Sequence, residues 1–274
     1  MIKFIAADLD GTLLNSSHEL PRDFMELVGI MYDMGITFAA TSGRQYYGVE
    51  KLFKPVRNKM LFIAENGGAA FEKGICTYSM PLPEKGVTEM VSEAQKLYDS
   101  GVRILLSGEK SAYAADSDPD FAESCETYCA RLERVRDFGR LPENDHIIKI
   151  ALFDKNAEQG VYPAMKRFSR DYNVILSNTC WVDIVGKDVN KGMAVRKLME
   201  KLGAGYDETM VFGDYLNDLE MMDCCKYSFA MENAHPLLKK AAHCIAPSND
   251  DNGVVHEILA HIPELAERIQ KNGT

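Results

Sequence analysis

Asp8 and Asp10 stand one residue apart in Asp8-Leu9-Asp10-Gly11-Thr12-Leu13-Leu14, directly after the apolar run Ile2–Ala7. If that run is a buried strand, both carboxylates sit at its carboxyl end, where open α/β sheets bind ligands. The same residues also suit a plain turn, in which Asp bonds its own backbone. Thr41-Ser42-Gly43-Arg44 follows a second apolar run. A hydroxyl beside the free N–H groups of a following helix makes a phosphate cradle, or simply a helix N-cap. Asn190-Lys191-Gly192 opens a helical stretch. A lysine in a first turn opposes the helix dipole, which suggests a bound anion, although a solvated surface lysine is the ordinary reading and gives it little structural value. Gly213-Asp214-Tyr215-Leu216-Asn217-Asp218 places two more carboxylates and an amide after a further apolar run. There Asn217 also suits an N-cap.

These clusters need elements to hold them. Ile2–Ala7, Ile36–Ala40, Met60–Ala64 and Thr209–Phe212 read as buried strands, and Tyr227–Ala230 and His243–Ala246 as short ones. Phe24, Leu27, Val28 and Met31 recur at helical spacing, so Pro21–Met34 is expected as a helix with proline at its start. Val49, Leu52 and Phe53 suggest a short helix, and 69–78, with Lys73-Gly74 at its middle, a hairpin. Strands alternating with amphipathic helices point to an α/β protein with a doubly wound, mostly parallel sheet.

Around Pro81-Leu82-Pro83 the order of elements changes. Helices are expected over 87–98, over an apolar face of Phe121, Cys125, Tyr128, Leu132 and Val135, and over 161–168. Strands are expected at 102–106, 146–153, 173–177 and 180–185. This block has α+β character. The expected division is 1–82 with 183–274 for the doubly wound domain, and 83–182 for an inserted one.

Composition narrows the function. The chain has 274 residues and a formal net charge of −10, which disfavours nucleic acid and anionic membrane surfaces as partners. No apolar run approaches the ~18 residues of a membrane helix, and the apolar start runs straight into Asp8, which leaves no signal peptide to expect. Seven cysteines without zinc-like spacing fit a reduced, cytoplasmic protein. Gly108-Glu109-Lys110-Ser111 lacks the spacing of a nucleotide-binding P-loop, and Gly203-x-Gly205 lacks the third glycine of a dinucleotide site. His256 and His261 are five apart and cannot chelate as an i, i+4 pair.

Four strand ends carrying an acid pair, a hydroxyl, a lysine and a second acid pair, in that order, resemble the haloacid dehalogenase-like superfamily, specifically its Cof-like phosphatases. Glu65-Asn66-Gly67, Ala230-Met231-x-Asn233-Ala234 and Asp250-Asp251-Asn252-Gly253-Val254 resemble its secondary signatures, while Glu232 stands where many members carry glycine. The resemblance implies a Rossmann-like core with an inserted α+β cap that sets specificity. It implies Asp8 as nucleophile and Asp10 as general acid and base. Mg²⁺ would be held by Asp8, the Asp10 backbone and Asp214, with Asp218 behind them. Ser42, Gly43, Lys191 and Asn217 would hold the phosphoryl oxygens. With Asp10 protonated, Mg²⁺ and Lys191 bring the acids near neutrality, so a phosphate dianion is accepted. The expected substrate is a small phosphorylated metabolite such as a sugar phosphate, and the expected state is monomer or dimer. A phosphomutase and a non-catalytic sensor are the alternatives, and a receiver domain is excluded by length and by the place of its acceptor aspartate. Within the cap, Tyr113, Arg103 and Arg131 are candidate specificity residues, expected at the surface.

Overall fold

The computed structural model describes residues 1–115, 118–139, 144–177 and 179–272. The chain divides into two compact units: 1–43, 49–77 and 190–274 form one, and 44–48 with 78–189 the other. The boundaries therefore differ from 83–182. Leu82 belongs to the second unit because its N–H donates to Ile147 O and its side chain joins that unit's core. Residues 44–48 belong there because the Gln45 amide donates to Arg131 O and accepts from Arg131 N–H.

The chain begins the first sheet with β1 (Phe4–Asp8), β2 (Thr37–Thr41), β3 (Leu61–Ala64), β4 (Ala69–Glu72) and β5 (Ile75–Ser79). It leaves for β6 (Arg103–Gly108), β7 (Ala112–Ala114), β8 (Leu132–Arg134), β9 (Ile147–Phe153), β10 (Tyr172–Leu176) and β11 (Trp181–Gly186). It returns with β12 (Thr209–Gly213), β13 (Tyr227–Met231) and β14 (Cys244–Ala246). The helices in chain order are α1 (Phe24–Asp33), α2 (Tyr46–Leu52), α3 (Glu84–Gln95), α4 (Pro119–Tyr128) and α5 (Val161–Met165), then α6 (Lys191–Leu202), α7 (Leu219–Met222), α8 (Pro236–Ala241), α9 (Gly253–His261) and α10 (Pro263–Asn272).

The first sheet runs β14-β13-β12-β1-β2-β3-β4-β5. Its first six strands pair in parallel, and a turn at Lys73-Gly74, both at positive φ, closes the antiparallel end. Parallel strands covered on both faces read as continuous apolar runs, and β1 is buried at every residue. Because β1 has β2 on one side and β12 on the other, the chain changes winding direction beside β1. That is where doubly wound sheets open a crevice beyond their strand ends. The register sets Asp8 level with Thr41, and Ala7 level with Phe212, so three polar loops leave the sheet side by side.

Helix α1 starts at Phe24, three residues after Pro21. Asp23 adopts a left-handed conformation (φ 63°), which a helix interior excludes, so the expected proline start is corrected. Its buried face is Phe24, Leu27, Val28, Ile30 and Met31.

In the second unit the strands run β10-β11-β9-β6-β7-β8, antiparallel except for β7 with β8. Alternation sorts the side chains to two faces. Ile104, Leu106, Ile150, Leu152, Val182 and Ile184 pack with Val87, Met90 and Val91 of α3 and Val161 and Met165 of α5. On the other face Leu105, Ala112, Ala114, Ala151, Phe153 and Trp181 pack with Phe121 and Cys125 of α4. The helix expected through Leu132 and Val135 ends at Tyr128, whose side chain lies outside the described residues. Leu132 instead lies in β8, paired with Ala112. Tyr113 is buried and donates to Asp145, and Arg103 is half-buried and donates to Tyr98 O and Val102 O, so neither is the surface residue expected. Arg131 lies over the Tyr47 ring, 3.8 Å from its centroid.

Candidate active site

Helix α6 begins at Lys191 because Asn190 caps it, its Oδ1 accepting from Met193 N–H at 2.7 Å. The cap fixes the helix phase, and that phase turns Lys191 inward. The lysine is fully buried, which overturns the surface reading. Gly67 (φ +94°) makes this fit possible, since a Cβ there would lie 2.2 Å from Asn190 O. The Lys191 ammonium donates to Asp8 Oδ1 at 2.5 Å and to Asp218 Oδ1 at 2.7 Å. An uncompensated ammonium in this position would cost several kcal/mol, so the two carboxylates are a condition of its burial.

Asp218 is fully buried as well. Its Oδ2 accepts from the N–H groups of Asp214 and Tyr215, so its carboxylate folds the loop after β12 back on itself. That turn, rather than capping by Asn217, is what shapes the segment. Asn217 instead donates to Asn66 Oδ1 at 3.2 Å.

Asp8, Asp214 and Asp218 each place a carboxylate oxygen within 4.8 Å of the other two. Three acids facing one ammonium leave an excess of negative charge. Burial, together with Asp218 and Asp214, pushes Asp8 well above the usual carboxylate range despite the opposing pull of Lys191. Burial and Asp218 push Asp214 up to about 6, partly offset by Lys191 and by a hydrogen bond from Thr12. Burial by itself would lower Lys191, yet Asp218 and Asp8 raise it above its ordinary value, so it stays charged. A hard divalent cation answers this excess, and an all-oxygen donor set suits Mg²⁺.

Asp10 stands outside the three-acid cluster. Its side chain is 41% exposed, with His18 Nδ1 at 3.5 Å. Gly11 follows at φ +79°, and a Cβ there would lie 2.4 Å from Asp214 Oδ2, so only glycine lets this turn lie against the acid loop. Ser42 is buried and Gly43 lies close enough to Asn66 that a Cβ would approach its Oδ1 to 2.9 Å. Asn66 thus links the hydroxyl loop to Asn217. An asparagine beside a glycine, as in Glu65-Asn66-Gly67, is the local signal for this turn, and Asn66 takes the left-handed conformation (φ 55°). Thr12, part of the motif around Asp8, donates to Asp214 at 3.2 Å, a partner only the fold supplies. Glu232 is exposed on the turn after β13.

A buried lysine met by two of three clustered acids at the crevice of a doubly wound sheet, with a fourth acid, Asp10, on the loop that follows Asp8, defines a site for phosphoryl chemistry. The chain belongs to the haloacid dehalogenase-like hydrolase family, whose profile matches residues 5–258. It is a phosphatase of the Cof-like type within that family. It is 32% identical over 266 residues to the 5-amino-6-(5-phospho-D-ribitylamino)uracil phosphatase YbjI of Escherichia coli, covering 95% of this chain and 97% of that one. Among solved structures it is similar to SMU.1108c of Streptococcus mutans (TM-score 0.85, 28% identity, 96% and 100% covered). It is also similar to a haloacid dehalogenase-like hydrolase of Bacteroides thetaiotaomicron (TM-score 0.82, 26% identity, 94% and 98% covered). Among the described residues no helix is long and apolar enough to cross a membrane.

Proposed function

We propose that this chain hydrolyses a small phosphorylated metabolite, a sugar or sugar-alcohol phosphate, through a phosphoryl group carried on Asp8. The observation that carries the reading is the buried Lys191 ammonium, shared between Asp8 and Asp218 with Asp214 beside them. A purely structural lysine would need one carboxylate, not a cluster with surplus charge.

Asp8, Asp214 and the backbone of Asp10 would hold Mg²⁺, with Asp218 behind them. The ion, when bound, offsets charge on the acids and on the phosphoryl oxygens. Lys191 holds one oxygen of Asp8 and so orients the carboxylate. Asp8 attacks phosphorus, the bond to the leaving oxygen breaks, and Asp10 gives that oxygen a proton. Asp10 then takes a proton from water, whose oxygen attacks phosphorus and breaks the bond to Asp8, releasing phosphate. Ser42, the Gly43 amide, Lys191 and Asn217 hold the phosphoryl oxygens as charge redistributes.

The unit of 44–48 and 78–189 serves as the cap that selects the leaving group, and seven free thiols suit a cytoplasmic enzyme. The similarity to the E. coli enzyme, named for a phosphoribityl substrate, adds such compounds to the hexose phosphates worth testing. Phosphate release should be screened over both classes with Mg²⁺ present. Release from at least one of them supports the reading; isomerisation of a hexose phosphate without phosphate release would identify a mutase instead.

A further inference from the structure

The loop carrying Asp10 bonds both within itself and to side chains outside it. Its internal bonds run from Thr12 N–H and Leu14 N–H to Leu9 O and from Leu13 N–H to Asp8 O. The bridge between Asp10 and Leu14 adds to them, and Gly11 O and Leu14 O also reach side chains outside the loop. Each is met by an asparagine from the far side of the sheet order. The Asn233 amide donates to Gly11 O at 2.7 Å, and the Asn249 amide donates to Leu14 O at 2.9 Å. The two asparagines are joined to each other, since Asn249 N–H donates to Asn233 Oδ1 at 3.1 Å. Two further bonds tie the same pieces together. His235 N–H donates to Asp214 O at 2.8 Å, and Asp250 accepts from both the N–H and the hydroxyl of Ser16 at 2.8 Å. Those bonds from Ser16 hold the Asp250 carboxyl below its usual range, so it is ionised and the contact is charge-assisted.

We propose that Asn233 and Asn249 act as a clamp that positions Asp10 for proton transfer. The argument is one of degrees of freedom. Asp10 follows β1, which ends at Asp8, it is bridged to Leu14, and the residue after it is a left-handed glycine. A glycine hinge does not choose a direction for the residue before it. The bond from Asn233 fixes the carbonyl of that glycine, and the bond from Asn249 fixes the loop three residues on. Together they set the peptide planes from which the Asp10 side chain departs. Proton transfer to a leaving oxygen requires hydrogen-bond reach, and a shift of about 1 Å costs up to ~10²-fold in rate. The clamp also reaches Asp214 through His235, so the acid that would hold the cation and the acid that moves the proton share one turn.

This inference rests on the reading of Asp10 as general acid, and the test separates the two. Burst-phase release of the leaving group is measured by rapid quench with Mg²⁺, using 4-nitrophenyl phosphate and phenyl phosphate. The first leaving group is stable as an anion; the second needs a proton. Asn233→Ala and Asn233→Asp are compared with wild type, alone and combined with Asp10→Asn. Asn233 is exposed, so both variants should keep the wild-type thermal midpoint. Asn233→Asp keeps the acceptor for Asn249, loses the donor to Gly11 and sets a carboxylate oxygen against that carbonyl. With phenyl phosphate the burst rate should fall about tenfold or more in both variants, with KM rising less in the Ala variant, while 4-nitrophenyl phosphate should change little. In the Asp10→Asn background the Asn233 changes should add nothing. Equal losses on both substrates, or losses that persist in full without Asp10, would overturn the clamp alone. An Asp10→Asn variant whose two substrates respond equally would overturn the assignment of Asp10 and the clamp with it.

Discussion

The ammonium of Lys191 lies 2.7 Å from Asp218 Oδ1, and neither residue is exposed to solvent. The bond joins the first turn of α6 to the loop after β12, twenty-seven residues away. It also explains why a lysine tolerates the unfavourable end of a helix dipole. The two acids it meets outweigh the partial positive charge of the first turn.

Lys191→Ala is therefore expected to destabilise the protein as well as inactivate it, contrary to the small stability effect a surface lysine would have. Removing one partner of a buried pair costs about 3–5 kcal/mol, which lowers the thermal midpoint by roughly 6–20 °C. Scanning calorimetry of the metal-free protein checks this, and added Mg²⁺ should restore part of the loss because it offsets the stranded carboxylates. A midpoint within a degree of wild type would show that the pair is not a stabilising contact.

Chelation should abolish phosphatase activity, and Mg²⁺ but not Ca²⁺ should bring it back. The three acids with oxygen donors suit a small octahedral ion, whereas Ca²⁺ takes more ligands at longer distance and disturbs in-line geometry. Activity assayed after chelator removal, with each ion in turn, decides the matter. Equal rates with the two ions would sink the assignment.

Asp10→Asn should split the reaction. With 4-nitrophenyl phosphate the first half needs little acid help, so about one nitrophenolate per enzyme should appear as a burst. Water then attacks the phosphorus carried on Asp8 without a base to take its proton, at a cost of about 10²–10⁴-fold. Acid quench should trap phosphate on the protein, and mass spectrometry should find it on Asp8. Sugar phosphates should give no burst. Steady turnover at the wild-type rate would refute the role.

The thiols should react in order of burial. Burial pushes Cys125 and Cys225 up to about 12 and Cys224 up to about 11. A raised pKa keeps each as the unreactive thiol at pH 8, where an ordinary cysteine is partly thiolate. Cys244 is exposed and should be alkylated first by iodoacetamide, with the three buried thiols modified only after denaturation. Peptide mapping over time gives the order. Early labelling of Cys225 would contradict the packing around β12 and β13.

Much of this protein was legible along the chain. Strands of the doubly wound sheet are continuous apolar runs with polar residues at their carboxyl ends, and both signals are local. Asp8, Ser42, Lys191, Asp214 and Asp218 could each be named from such a strand or helix end. Other features depend on partners distant in sequence. The burial of Lys191 follows from the phase of a capped helix set against Asp8, 183 residues earlier. Asn66 and Asn233 stand in segments that resemble the family's secondary signatures, but their partners, like those of Asn249, are set only when the fold brings Asn217, Gly11 and Leu14 to them. The short strands β7 and β8 take their place from pairing, β7 on β6 and β8 on β7, and the helix pattern running through Leu132 is ended by the pairing of Leu132 with Ala112. Residues 44–48 likewise take their place in the second unit from Gln45 and Arg131, 86 positions apart. Sequence alone determines which groups can do chemistry, because residue type and local periodicity are properties of short segments. Which of those groups are buried, charged and paired is decided by long-range packing, since both burial and electrostatic compensation are set by neighbours the chain brings in from far away.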